Sequence, residues 1–253
     1  MIPKIIHYCW FGHNQLPDMA QKCIASWRKF FPDYEIKEWN EDNFNVNIIP
    51  YTQQAYEAKK YAFVSDYARF WILYNYGGLY FDTDVEVIRP MDDIVDKGPF
   101  IGIEVPAKKG IVPYVAPGLG LGLNPGLGLG VNPGLGLYQR ILEYYSSLSF
   151  RNEDGSLNQT TIVAHTTEVL TELGLQPIDG IQQVAGVWIY PADFFNPLDS
   201  LTGKLNITEN TRSIHWYMNS WSDTSKMYNW LSRMSHRFFG TRIHRIKKMF
   251  AKK

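Results

Sequence analysis

Two periods of apolar residues alternate along the first third of the chain. Residues 4–9 are a short apolar run. Ala20, Ile24 and Trp27 then share one stripe of a helix over 17–30, which Pro32 stops. Residues 34–39 alternate as a second strand and 52–60 read as another helix. Over 61–75 the apolar positions Val64, Tyr67, Ala68, Trp71 and Ile72 fall at i, i+3, i+4, i+7 and i+8, the stripe a buried helix face presents. Gly77-Gly78 ends that helix, and Leu79-Tyr80-Phe81 opens a short apolar strand. Strand, helix, strand, helix, helix, strand predicts an α/β fold with a mostly parallel central sheet flanked by helices.

Further on, Val85, Val87 and Ile88 read as a continuation of that strand as far as Pro90, and 100–105 as a further strand. Residues 139–147 read as a helix, 152–173 as a polar turn entering a helix, and 184–190 as a strand ending at Pro191. Phe194-Phe195-x-Pro197 reads as a structural turn. Residues 117–137 break the pattern with a Pro-Gly-Leu-Gly-Leu-Gly-Leu-Asn unit that recurs with a period of eight. Alternating Leu would give one apolar face, but so much Gly weakens a strand. No Lys-Ser/Thr follows to make a phosphate loop. The segment is therefore expected to be an expanded flexible loop, which leaves Asn124 and Asn132 without an assigned role.

The chemistry is concentrated where the central strand ends. Asp82 and Asp84 are two apart, and in extended chain such residues point to one side with Cα atoms roughly 7 Å apart. Both carboxylates would then reach one cation, and hard oxygen donors favour Mg²⁺ or Mn²⁺ over Zn²⁺. A bare Asp-x-Asp is more often a solvated loop pair; the apolar strand before it and the Gly-Gly entry set this one apart. Asp66 and Arg69 neighbour one another on a helix face, either as an ordinary surface ion pair or as holders of a ligand's polar half.

Composition narrows the classes. A chain of 253 residues, 45% hydrophobic, is large enough for one substantial core, expected over 1–223. The formal net charge is zero, which gives no reason to expect a nucleic-acid partner. No apolar run approaches the roughly 20 residues of a membrane span, and no signal-peptide pattern opens the sequence. Cys9 and Cys23, in apolar surroundings, read as reduced core thiols. Together these lead to the expectation of a cytoplasmic protein. Residues 224–253 contain Lys and Arg but no Asp or Glu, with Ile243, Ile246 and Phe250 on a narrow stripe. That tail reads either as a basic amphipathic helix lying peripherally on the anionic inner face of the cell membrane, or as a helix docked on the body.

Ser65-Asp66-x-x-Arg69 followed by Gly77-Gly78-x-Tyr80-x-Asp82-x-Asp84 resembles glycosyltransferase family 32, the DXD sugar-binding-motif family. Its members include fungal Golgi mannosyltransferases and bacterial capsule and lipopolysaccharide transferases, and the spacing is similar to that of the glucosylating domain of large clostridial toxins. Ile2-Pro3-Lys4-Ile5-Ile6-His7-x-x-Trp10-Phe11-Gly12, Asn152-Glu153-Asp154-Gly155 and His215-x-x-x-x-Ser220-Trp221 extend the match in the same order. The resemblance implies a GT-A-like fold and a metal-dependent retaining transferase. Its donor would be a nucleotide-diphosphate sugar, UDP-hexose or UDP-N-acetylhexosamine ahead of GDP-mannose. Its acceptor would be a lipid-linked or polysaccharide hydroxyl of a bacterial surface glycan. It also implies that Asp82, Asp84 and His215 hold Mn²⁺ or Mg²⁺, that Trp10 and Phe11 meet the base, and that Ser220 and Trp221 meet the diphosphate. Asp66 and Arg69 would orient the sugar, and Asn158, Thr160 and Thr161 would border its pocket. Many relatives carry a second His where Trp216 stands, which leaves open whether His215 reaches the metal. Two rival classes remain: a phosphohydrolase with Asp82 as nucleophile, and an inactive glycan- or membrane-binding relative.

Overall fold

The alternation of periods becomes a three-layer structure in the computed structural model, which describes residues 1–108, 110–123, 135–200 and 202–218. The chain runs β1 (Ile5–Cys9), α1 (Asp18–Phe30), β2 (Glu35–Trp39), α2 (Pro50–Glu57), α3 (Tyr61–Tyr76), β3 (Gly78–Tyr80) and β4 (Val85–Val87). It continues through α4 (Asp92–Val95), β5 (Phe100–Val105), β6 (Tyr114–Leu123), α5 (Leu135–Ser146) and α6 (Ile162–Glu172). β7 (Gln182–Val184), β8 (Val187–Tyr190), α7 (Ala192–Phe195) and β9 (Ser213–His215) complete it.

The central sheet has the order β2-β1-β3-β6-β5-β8-β7. β2, β1 and β3 are mutually parallel, β5 and β8 run the same way, and β6 and β7 run against them. The α/β class and the mostly parallel sheet are thus as expected. One apolar core lies beneath α2, α3, α5 and α6, and a second lies on the other face beneath α1, α4 and α7. Trp27 fixes the second layer: it is fully buried and its indole Nε1–H donates to the Val85 carbonyl at 2.8 Å. Both cysteines are buried and free. Among the described residues no helix is long and apolar enough to cross a membrane.

Three expectations need correction. β4 does not prolong β3; it pairs antiparallel with β9 in a separate two-stranded sheet, because the chain turns after Asp82. The strand expected at 184–190 is a hairpin, with Ala185 and Gly186 at φ 49° and 79° in its two-residue turn. The first Pro-Gly-Leu unit is not a loop: it lies within β6, an inner strand buried at every position after Tyr114. Glycine suits this place because its neighbours leave no room for a side chain. A Cβ on Gly122 would meet the Phe100 ring at 2.5 Å, while Leu121 and Leu123 fill the opposite core. Pro117, which has no N–H to give a ladder, sits where β6 bulges, since Ile101 pairs with Leu121 but Gly102 with Ala116. Residues 124–134, from the last residue of the first copy to the second of the third, and the tail at 224–253 lie outside the described residues, while residues 135–137 of the third copy open α5 instead of ending a loop.

His7 ties the first strands together. Its Nδ1 accepts from the Trp39 indole at 3.0 Å, so Nε2 carries the proton and donates to the Gly77 carbonyl at 3.0 Å. Burial, helped by the nearby Lys37 charge, lowers its pKa to about 4 against the pull of the Gly77 carbonyl. Because the folded state resists this proton, the stability His7 provides is complete above pH about 6.5 and is lost as pH falls toward 4. The loss amounts to roughly 3 kcal/mol at most. Urea titrations across that range are expected to show it, with a shallower dependence in His7→Gln; an unchanged slope in the variant would refute the assignment.

Candidate functional site

The site is assembled at the carboxyl edge of the parallel strands, where α/β sheets bind ligands. α3 closes on Gly77, whose N–H donates to the Leu73 carbonyl at 2.8 Å, and β3 starts at once beside β1. Asp82 therefore emerges just past the sheet edge, its own N–H donating to the Gly118 carbonyl at 3.0 Å. Residues 82–85 are not extended: the Val85 N–H donates back to the Asp82 carbonyl at 3.0 Å, a turn that sends the two aspartates to different partners.

Arg69 organises the first of them. It is 3% exposed, and its guanidinium spans Asp66 Oδ1 at 3.0 Å and Asp82 Oδ2 at 3.2 Å, with Nε–H donating to the Ser65 carbonyl. The reading of Asp66 and Arg69 as a surface pair is thereby overturned, because α3 turns this face inward beneath β6. The Tyr80 hydroxyl donates to Asp82 Oδ1 at 3.1 Å, and Arg69 lies over the Tyr80 ring. Burial pushes the Asp66 carboxyl up to about 7, opposed by Arg69 and reinforced by the Asp82 charge. β6 comes so close that a Cβ on Gly118 would fall 1.7 Å from Asp82 Oδ2.

Asp84 faces the other way. Its Oδ1 is 3.2 Å from His215 Nε2 at the end of β9, and its Oδ2 accepts the Met218 N–H at 2.8 Å. Burial alone would raise the Asp84 pKa, but the His215 charge and these hydrogen bonds hold it below the ordinary carboxylate range. Burial likewise opposes charge on His215, yet the Asp84 charge and hydrogen bond raise its pKa.

Seven of the candidates line one cavity of about 470 Å³: Trp10, Phe11, Asp66, Arg69, Asp82, Asp84 and His215. Trp10 is half-buried with its Nε1–H donating to the Asn14 carbonyl, while Phe11 is buried and packs edge-on against Phe44. Thr161 lines the cavity and also caps α6 through its hydroxyl; Asn158 and Thr160 are not in the lining. The turn at 152–155 is exposed and elsewhere. Ser220 and Trp221 lie outside the described residues. Sequence reasoning missed Gly118, Glu104 and Tyr217, which also line the cavity. Only Glu104, the one charge in the run Phe-Ile-Gly-Ile-Glu-Val, left a mark in the pattern.

A carboxylate and an imidazole are donor types that suit a divalent ion, but Asp84 Oδ1 and His215 Nε2 stand 3.2 Å apart as a hydrogen-bonded pair, so a cation would have to replace the proton between them. Among the described residues no three His, Cys, Asp or Glu side chains converge on one point. Asp82, on the same wall, is drawn instead to Arg69 and Tyr80.

Residues 17–101 match the family model described as glycosyltransferase sugar-binding region containing DXD motif. Over this region the chain is similar to the DXD glycosyltransferases, with Asp82-Thr83-Asp84 standing where an Asp-x-Asp would. It is 30% identical over 111 residues to inositol phosphoceramide mannosyltransferase 1 of Schizosaccharomyces pombe, covering 40% of this chain and 33% of that protein. It is 32% identical over 106 residues to an uncharacterised glycosyltransferase of Acanthamoeba polyphaga mimivirus, covering 40% and 42%. The chain thus spans well under half the length of these relatives. A solved glycosyltransferase involved in the glycosylation of the major capsid of PBCV-1 superposes with a TM-score of 0.47 at 11% identity, covering 90% of this chain and 97% of that one.

Proposed function

We propose that the cavity transfers a sugar from a nucleotide-diphosphate sugar to a hydroxyl of a glycan or lipid-linked acceptor, with retention at the anomeric carbon. The observation that carries this reading is the convergence on one cavity of the Asp82–Arg69–Asp66 network, the Asp84–His215 pair and Trp10. Asp84 and His215 would hold Mn²⁺ or Mg²⁺, with Asp82 beside them. A bound divalent ion would neutralise charge developing on the departing diphosphate. Trp10 offers an aromatic face to the nucleotide base, and Ser220 and Trp221 are the candidates for the diphosphate. Asp66 and Arg69, locked by burial, present fixed acceptor and donor groups to the sugar hydroxyls. The sugar–phosphate C–O bond breaks with its electron pair leaving on the diphosphate, while the acceptor oxygen bonds the same carbon on the same face. The hydroxyl proton leaves with the diphosphate.

UDP-hexoses, UDP-N-acetylhexosamines and GDP-mannose are the donors to test, GDP-mannose gaining weight from relatives named as mannosyltransferases. A bacterial surface polysaccharide remains the acceptor class that the motif suggests, and the basic tail at 224–253 is proposed to bring the enzyme to an anionic membrane surface. A phosphohydrolase is disfavoured because Arg69 and Tyr80 already engage both oxygens of Asp82, its required nucleophile. Calorimetry with UDP and GDP, with and without Mn²⁺, followed by assays of sugar release, tests the reading. One nucleotide is expected to bind only with the metal, and its sugar to be released. Release of inorganic phosphate from simple phosphoesters, or binding of neither nucleotide, would contradict it.

A further inference from the structure

We propose that Glu104 is the acceptor-side residue of this cavity, its carboxylate accepting a hydrogen bond from the hydroxyl that receives the sugar and so positioning that oxygen. The inference rests on the transferase reading above and extends it to a residue outside the Asp-x-Asp region.

The backbone argues first. Ile103 pairs with Val115 and Val105 with Tyr114, so Glu104 is the extra residue of a β-bulge in β5. Bulges re-aim a side chain and release its backbone from the ladder. Here the freed Glu104 carbonyl accepts from Asn196 Nδ2 at 3.0 Å, and the side chain joins the lining of the cavity that holds Asp82, Asp84 and His215.

A second element then holds the carboxylate. The Tyr217 hydroxyl donates to Glu104 Oε1 at 3.1 Å and accepts from Asn196 Nδ2 at 2.7 Å. The Tyr217 ring lies against His215 with centroids 4.1 Å apart. Tyr217 has φ of 51°, a left-handed conformation that costs a bulky residue about 1–3 kcal/mol and persists only where the surroundings fix it. Among the described residues Oε1 alone of the two Glu104 oxygens carries a hydrogen bond, which leaves Oε2 to accept from a hydroxyl. A carboxylate with one oxygen anchored and one offered to a cavity can select for a donor O–H, since an analogue lacking it would leave the oxygen unpaired.

Glu104→Gln tests this, because its amide oxygen still accepts from Tyr217 and the side-chain volume is kept. The probes are UDP and GDP with Mn²⁺ for the donor half. For the acceptor half they are the methyl glycosides of glucose, galactose and mannose, offered with the nucleotide-sugar that the wild-type protein uses. The expected variant keeps its thermal midpoint and binds nucleotide within about twofold of wild type. Its KM for the methyl glycoside rises by about tenfold or more, transfer kcat/KM falls further, and hydrolysis of the donor by water persists. Glu104→Asp is expected to recover part of the transfer. Transfer equal to wild type in Glu104→Gln, or a wild-type protein that hydrolyses the donor yet transfers to no hydroxyl probe, overturns the inference alone. Absence of metal-dependent nucleotide binding in wild type would instead remove the donor reading beneath it.

Discussion

Replacing Gly118 by alanine is expected to abolish sugar transfer, lowering kcat/KM by about 10²–10³ or more, the scale of losing one positioned charge-stabilising group. The added methyl would stand 1.7 Å from Asp82 Oδ2, 2.7 Å from its Cγ and 3.0 Å from Arg69 Nη1. Asp82 has little freedom to yield, because Tyr80, Arg69 and the Gly118 carbonyl hold its side chain and its N–H. Overpacking of this kind also destabilises, typically by about 1–3 kcal/mol. Circular dichroism should therefore show a folded variant of lower melting point with no metal-dependent nucleotide binding. Wild-type transfer by Gly118→Ala would mean that Asp82 does not work from the position described.

Arg69→Ala should be the most destabilising single change at the site. It strands Asp66, 7% exposed, beside Asp82 with no cation between them, and breaking a buried pair from one side costs about 3–5 kcal/mol. Part of that loss is relieved when Asp66 takes up a proton, so the variant should lose more stability at pH 8 than at pH 5. Arg69→Met, of similar length but uncharged, should behave alike, while Arg69→Lys should keep the charge and lose the fork that reaches both carboxylates. Chemical denaturation at the two pH values measures this directly. Equal stability of Arg69→Ala and wild type at pH 8 would show that the two acids do not depend on the guanidinium.

Much of this architecture is legible in the amino-acid sequence. The stripe at Val64, Tyr67, Ala68 and Ile72 is the buried face of α3, and the early strands and helices stand close to their expected places. The burial of Asp66 and Arg69 was not legible, since their i, i+3 spacing is the same on an exposed and on an inward helix face; β6 decides between them. β6 itself was hidden because glycine propensity argues against a strand, whereas packing against Phe81, Phe100 and Asp82 requires residues without side chains. The spacing of Asp82 and Asp84 suggested parallel carboxylates, but one turn hydrogen bond from Val85 separates them. Glu104 was passed over for a similar reason: a bulge, not an alternation, aims it. What local pattern cannot express is which distant strand will press against a given residue.

In the proposed function Asp84 and His215 hold a divalent cation shared with a nucleotide diphosphate. Electron paramagnetic resonance of Mn²⁺ tests it most directly, since the free-ion signal falls as the ion is bound. Wild-type protein should quench that signal in the presence of UDP or GDP, and Asp84→Asn should need at least about tenfold more protein to do so. Equal quenching by the two proteins, or no dependence on nucleotide, would contradict the account.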